Sequence, residues 1–455
     1  MLKKIAKLVQ GSFGPAFRRL RASLGQPGTL HQVGLMGAAL LAGLAAVGYT
    51  TLFRLAEKFS NQLFHNYPYA ILLVTPVTFA GSWFIVYRWA RYAAGSGIPQ
   101  VMAAVELDPK ARAVAYPRLL GWRVLVAKIA SSVLCVMGGG VVGREGPTLQ
   151  VSASIFYLVG RFFQRFTKLI SLDLWILGGA AAGIAAAFNT PLGGVVYAIE
   201  ELAQHHFNRI RFVVLMAVLI AGLVAQMLLG SYLYLGYPQI GTVSFADLPA
   251  AIVIGFVGAL IGALFGQLLV KSQRWIRERA ADAVLVRVVL LCSLIVVFLG
   301  LTNRHALGPG NQLISEILSG KVQGTMGMSA ARFVSMSASY LAGGAGGIFA
   351  PSLALGASVG SWMASFWQGL NPVLLSLLGM IAVLTGVTRA PLTSFVLILE
   401  MTDRHSAIFP MMVTALAASA GARLISPTSF YEQTKAVILK DLERSTESKE
   451  QDARS

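Results

Sequence analysis

Three observations predict an all-α, polytopic membrane protein made of two repeated halves. Of 455 residues, 56% are hydrophobic and only 12% are charged, about half the roughly 25% charged share of a soluble domain. Apolar runs near or above the about 20 residues that span a bilayer recur along the chain. Clear examples are 33–53, 69–90, 210–235, 250–270 and 284–302. The third observation is an internal duplication.

Gly143, Pro147, Thr148, Leu149, Ala153 and Ser154 recur as Gly347, Pro351, Ser352, Leu353, Ala357 and Ser358, at an offset of 204 residues. Further on, Gly179, Ala182, Pro191, Leu192, Val196 and Glu200 recur as Gly379, Ala382, Pro391, Leu392, Val396 and Glu400, at an offset of 200. Two blocks in the same order with nearly equal offsets mark a duplication. Repeated halves with short, Gly/Pro-interrupted apolar segments point to a secondary-transporter-like fold whose broken helices meet near the midplane. The matches alone leave parallel and inverted halves both open.

Residues 1–32 carry Lys3, Lys4, Lys7, Arg18, Arg19 and Arg21 without an acid, and charge interrupts their apolar positions. They read as a basic cytosolic helix lying on the membrane surface, not as a cleaved signal. The first membrane repeat spans 33–208. Its helices are expected at 33–56 and 69–90, joined by the polar stretch Glu57 to Asn66, then at 124–141 and 145–163. A helix at 174–188 stops at Asn189-Thr190-Pro191, where proline opens the next one, 191–203.

The second repeat spans 209–441, with helices at 210–235, 250–276 and 284–302. After a polar excursion from Thr302 to Met328 come 330–342, a glycine run at 343–347 and a helix opening at Ile348-Phe349-Ala350-Pro351. Segments 372–387, 391–401, 406–425 and 430–441 complete it. The tail 442–455 is mixed in charge and low in apolar residues, and reads as a short frayed cytosolic end.

The net charge is +18. Its basic residues cluster in short connections, as with Lys110, Arg112 and Arg118 or Lys271, Arg274, Arg277 and Arg279. That pattern fits the positive-inside rule and anionic membrane lipid, not nucleic acid. Cys135 and Cys292 lie in apolar runs and imply no disulfide framework, and no metal-ligand spacing is present. No cofactor is expected either. Gly138, Gly140 and Gly143 fit a dinucleotide fingerprint, but between membrane helices and without an acid about 20 residues later. Gly356, Ser358 and Gly360 fit a nucleophile elbow, but within an apolar helix and without Asp–His partners. Small residues at these spacings let helices pack closely. An intramembrane enzyme and a non-transporting scaffold are remote alternatives.

Arg144 and Glu145 lie at a depth where an ionised side chain costs roughly 2.5–3.5 kcal/mol. Helix N-termini offer unpaired N–H groups and about half a unit of positive charge, which suits an anion. Two related N-termini open at Glu145-Gly146-Pro147 and at Ile348 to Pro351, and Ser96 adds a hydroxyl on a third broken segment. Apart from Arg144 these motifs hold no Lys or Arg, and neutral donors leave an anion free to move on. The Glu145 carboxylate can fill such a site itself and leave it on protonation, acting as gate and proton carrier. The alternative is a helix-start acid merely paired with Arg144.

Glu200 recurs as Glu400, which suits a structural role such as capping a neighbouring helix. Glu201 faces Met401 across the repeat, so it breaks the symmetry, which favours function. His205 and His206 follow as interfacial residues or proton relays.

GSGIP at 95–99, GREGP at 143–147 and GGIFAP at 346–351 resemble the three signature motifs of the CLC chloride channel and transporter family. The resemblance runs from about residue 33 to 440. It implies inverted-topology repeats, a homodimer with one anion path per subunit, cytosolic termini and, with the compact build, a bacterial inner membrane. By the same resemblance Ser96 and the backbone N–H groups of Ile348 and Phe349 bind the central chloride. Glu145 is the external gate, and Tyr431 closes the site from inside. Glu201 falls at the internal proton-transfer position, where the family's exchangers carry an acid and most of its passive channels do not. This favours exchange of two Cl⁻ for one H⁺ over a passive voltage- or pH-gated chloride channel. Serine at position 96 is similar to chloride-preferring members, whereas nitrate-preferring ones have proline. Gln100 departs from the glutamate that often follows GSGIP. The paired cytosolic regulatory domains of many eukaryotic members are not expected.

Overall fold

A computed structural model describes residues 27–166, 169–202, 207–230, 235–279, 281–367 and 369–452. Among these the fold is helical, with two isolated β-bridges. In the first half the principal helices are α1 (Pro27–Asn66), α2 (Ile71–Trp89), α3 (Ile98–Glu106), α4 (Arg112–Leu120), α5 (Trp122–Met137), α6 (Glu145–Phe163), α7 (Leu172–Phe188), α8 (Pro191–Tyr197) and α9 (Phe207–Leu229). The second half holds α10 (Leu248–Glu278), α11 (Asp282–Thr302), α12 (Asn311–Leu318), α13 (Met326–Leu341), α14 (Phe349–Met363), α15 (Pro372–Thr388), α16 (Pro391–Thr402), α17 (Ile408–Arg423) and α18 (Phe430–Asp452). Among the described residues, seven helical segments are long and apolar enough to cross a membrane.

Most expected helices lie where the apolar pattern puts them, and three differences have physical causes. The polar stretch Glu57 to Asn66 continues α1 instead of joining two helices, because nothing breaks the helix before Pro68. The polar excursion from Thr302 to Met328 contains α12, whose Leu313, Ile314, Ile317 and Leu318 form one buried face. The tail expected to fray carries α18 on to Asp452, through a sequence rich in Glu, Lys and Arg, which are good helix formers. The expected surface helix within 1–32 lies largely outside the described residues, as do His205 and His206.

The duplication is visible in the backbone. Helices α5 and α13, and α6 and α14, start 204 residues apart; α7 and α15, and α8 and α16, start 200 apart. Helices α7 and α15 both end on a residue at positive φ, Asn189 (55°) and Arg389 (65°), and a proline starts the next helix two residues later. Both are buried along nearly their whole length, as expected of helices that are apolar all round. Gly379 packs against the backbone of Gly356 and Gly360, so the elbow-like glycines serve close helix contact. Ser358 is bonded to Ser329 at 2.9 Å.

A local two-fold relation shows in reciprocal contacts. Gly143 and Gly347 exchange two backbone hydrogen bonds of 2.7 Å each. Glu200 accepts from the N–H groups of Leu392 (3.0 Å) and Thr393 (2.6 Å) at the start of α16. Glu400 accepts in turn from Leu192 (3.1 Å) and Gly193 (2.7 Å) at the start of α8. Each half thus caps a helix of the other, as the repetition of Glu200 suggests, and each carboxylate meets the positive end of a helix dipole. Replacing Glu400 by alanine is expected to destabilise the fold by about 1–2 kcal/mol, the usual size of a lost cap. Thermal unfolding of the detergent-solubilised variant checks this, and an unchanged midpoint contradicts it.

Candidate functional site

Three broken segments meet where the two halves touch. Gly95 donates to the Gly344 carbonyl (2.9 Å) and accepts from Gly346 (3.0 Å), while Gly143 pairs with Gly347. These bridges pin the loops before α3, α6 and α14 to one another, so their helix starts converge. Gly146 is required there, since a Cβ on it would run into the Ser96 hydroxyl and lie 2.8 Å from the Ser96 carbonyl. Gly97, at φ 102°, lets the chain turn into α3.

Glu145 is 1% exposed. The N–H groups of Arg144, Glu145 and Ala350 turn toward its carboxylate. A Cβ on Gly143 would touch its Oε2 and lie 3.2 Å from the Ala350 nitrogen. The acid from one half therefore sits over the helix start of the other, in the place its charge and the dipole of α14 favour. Oε2 itself makes no well-formed hydrogen bond among the described residues.

Next to it lie Ile348 and Phe349, both 1% exposed. The Phe349 ring contacts Phe188, centroids 5.1 Å apart, and Tyr197 at 6.5 Å. Tyr431 is fully buried and brings its hydroxyl up to the Ser96 side chain. Neither hydroxyl makes a well-formed hydrogen bond among the described residues. Two buried hydroxyls turned on one point, beside a helix start, form a set of neutral donors matched to an anion. The structure thus gathers Ser96, Glu145, Ile348, Phe349 and Tyr431 in one place.

Glu201 stands further along, in a π-helical turn formed by Ala198–Leu202, the kind of helix irregularity that often marks functional sites. It is 7% exposed, and its Oε1 is buried without a hydrogen-bond partner among the described residues. Tyr197, whose hydroxyl likewise has no partner among the described residues, lies in the field of both Glu201 and Tyr431. Tyr431 in turn lies in the field of both Glu145 and Glu201. Tyr431 thus lies within electrostatic reach of both acids, and Tyr197 within reach of Glu201 and Tyr431.

Sequence reasoning missed four residues here. Tyr197 was hidden in an apolar run, with only its place four residues before Glu201 as a signal. Lys435 is 7% exposed and bonds Glu106 at 2.6 Å and Glu432 at 3.1 Å, and it lies in the field of Glu201. Burial alone would lower the pKa of its amine, but the hydrogen bonds to Glu106 and Glu432 outweigh this and hold it above its ordinary value. Its spacing from Tyr431, one helical turn, was the available signal.

Lys128 is fully buried in α5 and donates to the Gly95 carbonyl at 2.9 Å. It brings an amine donor behind the Ser96 loop, although it belongs to none of the motifs. Tyr340 packs against Gly95, 2.5 Å from where a Cβ would stand, and faces the Ser96 backbone. Gln100 donates to the Ala94 carbonyl at 2.7 Å; the departure from glutamate thus gives an internal brace to the loop.

Comparison with known proteins places this arrangement among relatives. The profile of the family described as voltage gated chloride channel matches residues 77–423. The H(+)/Cl(−) exchange transporter ClcA of Citrobacter koseri is 31% identical over 389 residues, covering 82% of this chain and 79% of that protein. The ClcA of Salmonella arizonae is 30% identical over 451 residues, 96% of this chain and 91% of its own. Among solved structures, a slow cyanobacterial Cl⁻/H⁺ antiporter superposes with a TM-score of 0.78 at 26% identity, covering 90% of this chain and 97% of that one. A CLC-type fluoride/proton antiporter, at 19% identity, shares the fold with a TM-score of 0.72 over 89% of this chain and 98% of its own.

Proposed function

The chain belongs to the voltage-gated chloride channel family, and from that premise we propose that it exchanges chloride for protons across the membrane, with two Cl⁻ moving for each H⁺. It is an integral multi-pass membrane protein. The observation that carries the exchange reading is the presence of two buried acids, Glu145 on the helix starts and Glu201 one turn after Tyr197, with Tyr431 in the field of both. A passive pore needs the first of these at most; exchange needs both.

The central chloride is held by the Ser96 and Tyr431 hydroxyls and the backbone N–H groups of Ile348 and Phe349. With no cation in direct contact, the ion is bound loosely enough to leave. An ionised Glu145 competes with chloride for the N–H groups at the start of α14, since both are monoanions. Protonation removes that charge, the neutral carboxyl gives up the donors, and chloride takes its place. The proton then passes between Glu145 and Glu201. Glu201 exchanges it with the solution on the α18 side, where Glu432 and Lys435 lie close by.

The inverted sense of the repeat, a homodimer with one path per subunit, cytosolic termini and a bacterial inner membrane belong to the same reading. The curated relatives that carry the exchanger name are bacterial.

Recording chloride and pH together in proteoliposomes tests the stoichiometry; a chloride flux with no linked proton movement leaves a passive channel instead. Ser96→Pro tests the central site. Removing the hydroxyl donor should raise the nitrate-to-chloride preference severalfold, a shift of about 1 kcal/mol, the usual net worth of one hydrogen bond. An unchanged ratio of anion fluxes places the selective contact elsewhere.

A further inference from the structure

Outside the anion path, positive charge is concentrated on the face from which α18 projects. A cleft of about 700 Å³ is lined by Arg91, Arg274, Arg277, Lys440 and Arg444, and the acids in its wall are Glu278 and Asp441. An adjoining recess of about 460 Å³ shares Arg91, Asp441 and Arg444 and adds Arg118. Four separate elements supply these cations: the turn after α2, then α4, α10 and α18. Their convergence is a property of the fold and not of one charged run.

The two acids are already engaged. Asp441 pairs with Arg277 at 3.4 Å, and Glu278 lies 3.9 Å from Arg279. Arg91, Arg274, Lys440 and Arg444 have no ion pair among the described residues. Lys440 and Arg444, one turn apart on α18, therefore repel each other and the two arginines across the cleft. Tyr92 stands within the field of Asp441 as well as of Arg118, Arg91 and Arg277.

The volume lies within the range of small-molecule sites. Guanidinium forks match the oxygens of a phosphate in pairs, which a spherical chloride cannot use. A narrower passage of about 210 Å³ shares Arg91, Arg277 and Asp441 with the cleft and reaches Gly95, Gln100 and Tyr340, at the back of the Ser96 loop. An occupant of the cleft would lie between the solution and that loop.

We propose that this cleft binds a multiply charged phosphate group, either a free polyphosphate or the headgroup of a phosphorylated lipid, and that its occupancy slows anion movement from that side. The binding stands apart from the exchange reading; the slowing rests on it.

The test is calorimetric titration of the full-length protein in detergent at low salt with pyrophosphate, and separately with short-chain phosphatidate. One saturable site per chain is expected for at least one probe, weakening as salt screens the charges. The double variant Arg274→Ala/Arg444→Ala should lose at least tenfold in affinity, while Lys321→Ala, an exposed lysine far along the chain, should bind as the parent does. Arg274→Lys keeps the charge without the fork and should lose severalfold. Pyrophosphate binding identifies free phosphate as the source; phosphatidate binding alone identifies the lipid headgroup. No saturable binding of either probe, or equal binding by the double variant, overturns the proposal. In proteoliposomes, pyrophosphate on the α18 side should lower chloride flux in the parent and not in the double variant. Equal inhibition of both would separate any slowing from this cleft.

Discussion

Glu145→Gln should yield a protein that conducts chloride steadily across the pH range and moves no protons. Glutamine has the shape of the protonated acid and no charge with which to compete for the N–H groups at the start of α14. The gate then stays in the form that protonation normally produces, whatever the pH. Proton transport should fall by at least about two orders of magnitude, the lower range of what a positioned acid–base group contributes. Chloride and pH electrodes on the same vesicles read both quantities. A variant that keeps the parent's pH response places the gate elsewhere. Glu145→Asp adds a graded check: the shorter side chain keeps the acid but falls short of Ala350, so a weakened gate with residual coupling is expected.

Glu201→Gln should have the complementary effect. Chloride flux persists, because Glu201 is not among the groups around Ser96, Phe349 and Tyr431, while proton transport falls by a similar two orders of magnitude or more. The control is its neighbour. Glu200 accepts from Leu392 and Thr393 at the start of α16, so Glu200→Gln should lower thermal stability and leave the ratio of chloride to protons intact. Normal coupling in Glu201→Gln, or lost coupling in a well-folded Glu200→Gln, would reverse the assignment of these adjacent acids.

Much of this fold was legible because bilayer-spanning helices announce themselves by apolar length, and because the chain states its central break twice. The pairing of Gly143 with Gly347, and the reciprocal capping by Glu200 and Glu400, turn an arithmetic offset into contacts. The asymmetry between Glu201 and Met401 likewise pointed to an acid that the structure buries one turn after Tyr197. Connections were read less well. Polar residues 57–66 lie in a helix because polarity alone does not end one, whereas Pro68 does. The short helices α3 and α4 carry no spanning-length signal.

Motifs marked part of the candidate site. Ser96, Glu145, Ile348 and Phe349 sit in Gly/Pro-rich breaks that a continuous helix does not tolerate. Tyr197, Lys128 and Lys435 sit within regular helices, and their importance comes from what lies across from them. Lys128 meets Gly95 from 33 residues away, and Lys435 meets Glu106 from 329 away. No local pattern carries such a contact.

In the proposed exchange, chloride movement drives protons. The most direct measurement is made on purified protein in vesicles with equal pH on both sides and a tenfold chloride gradient, the membrane voltage being clamped by potassium and valinomycin. Protons should move against their own developing gradient and in the direction opposite to chloride, until the proton gradient balances the chloride gradient at the two-to-one ratio. A pH that stays flat while chloride runs down its gradient would contradict exchange and leave a passive chloride pathway.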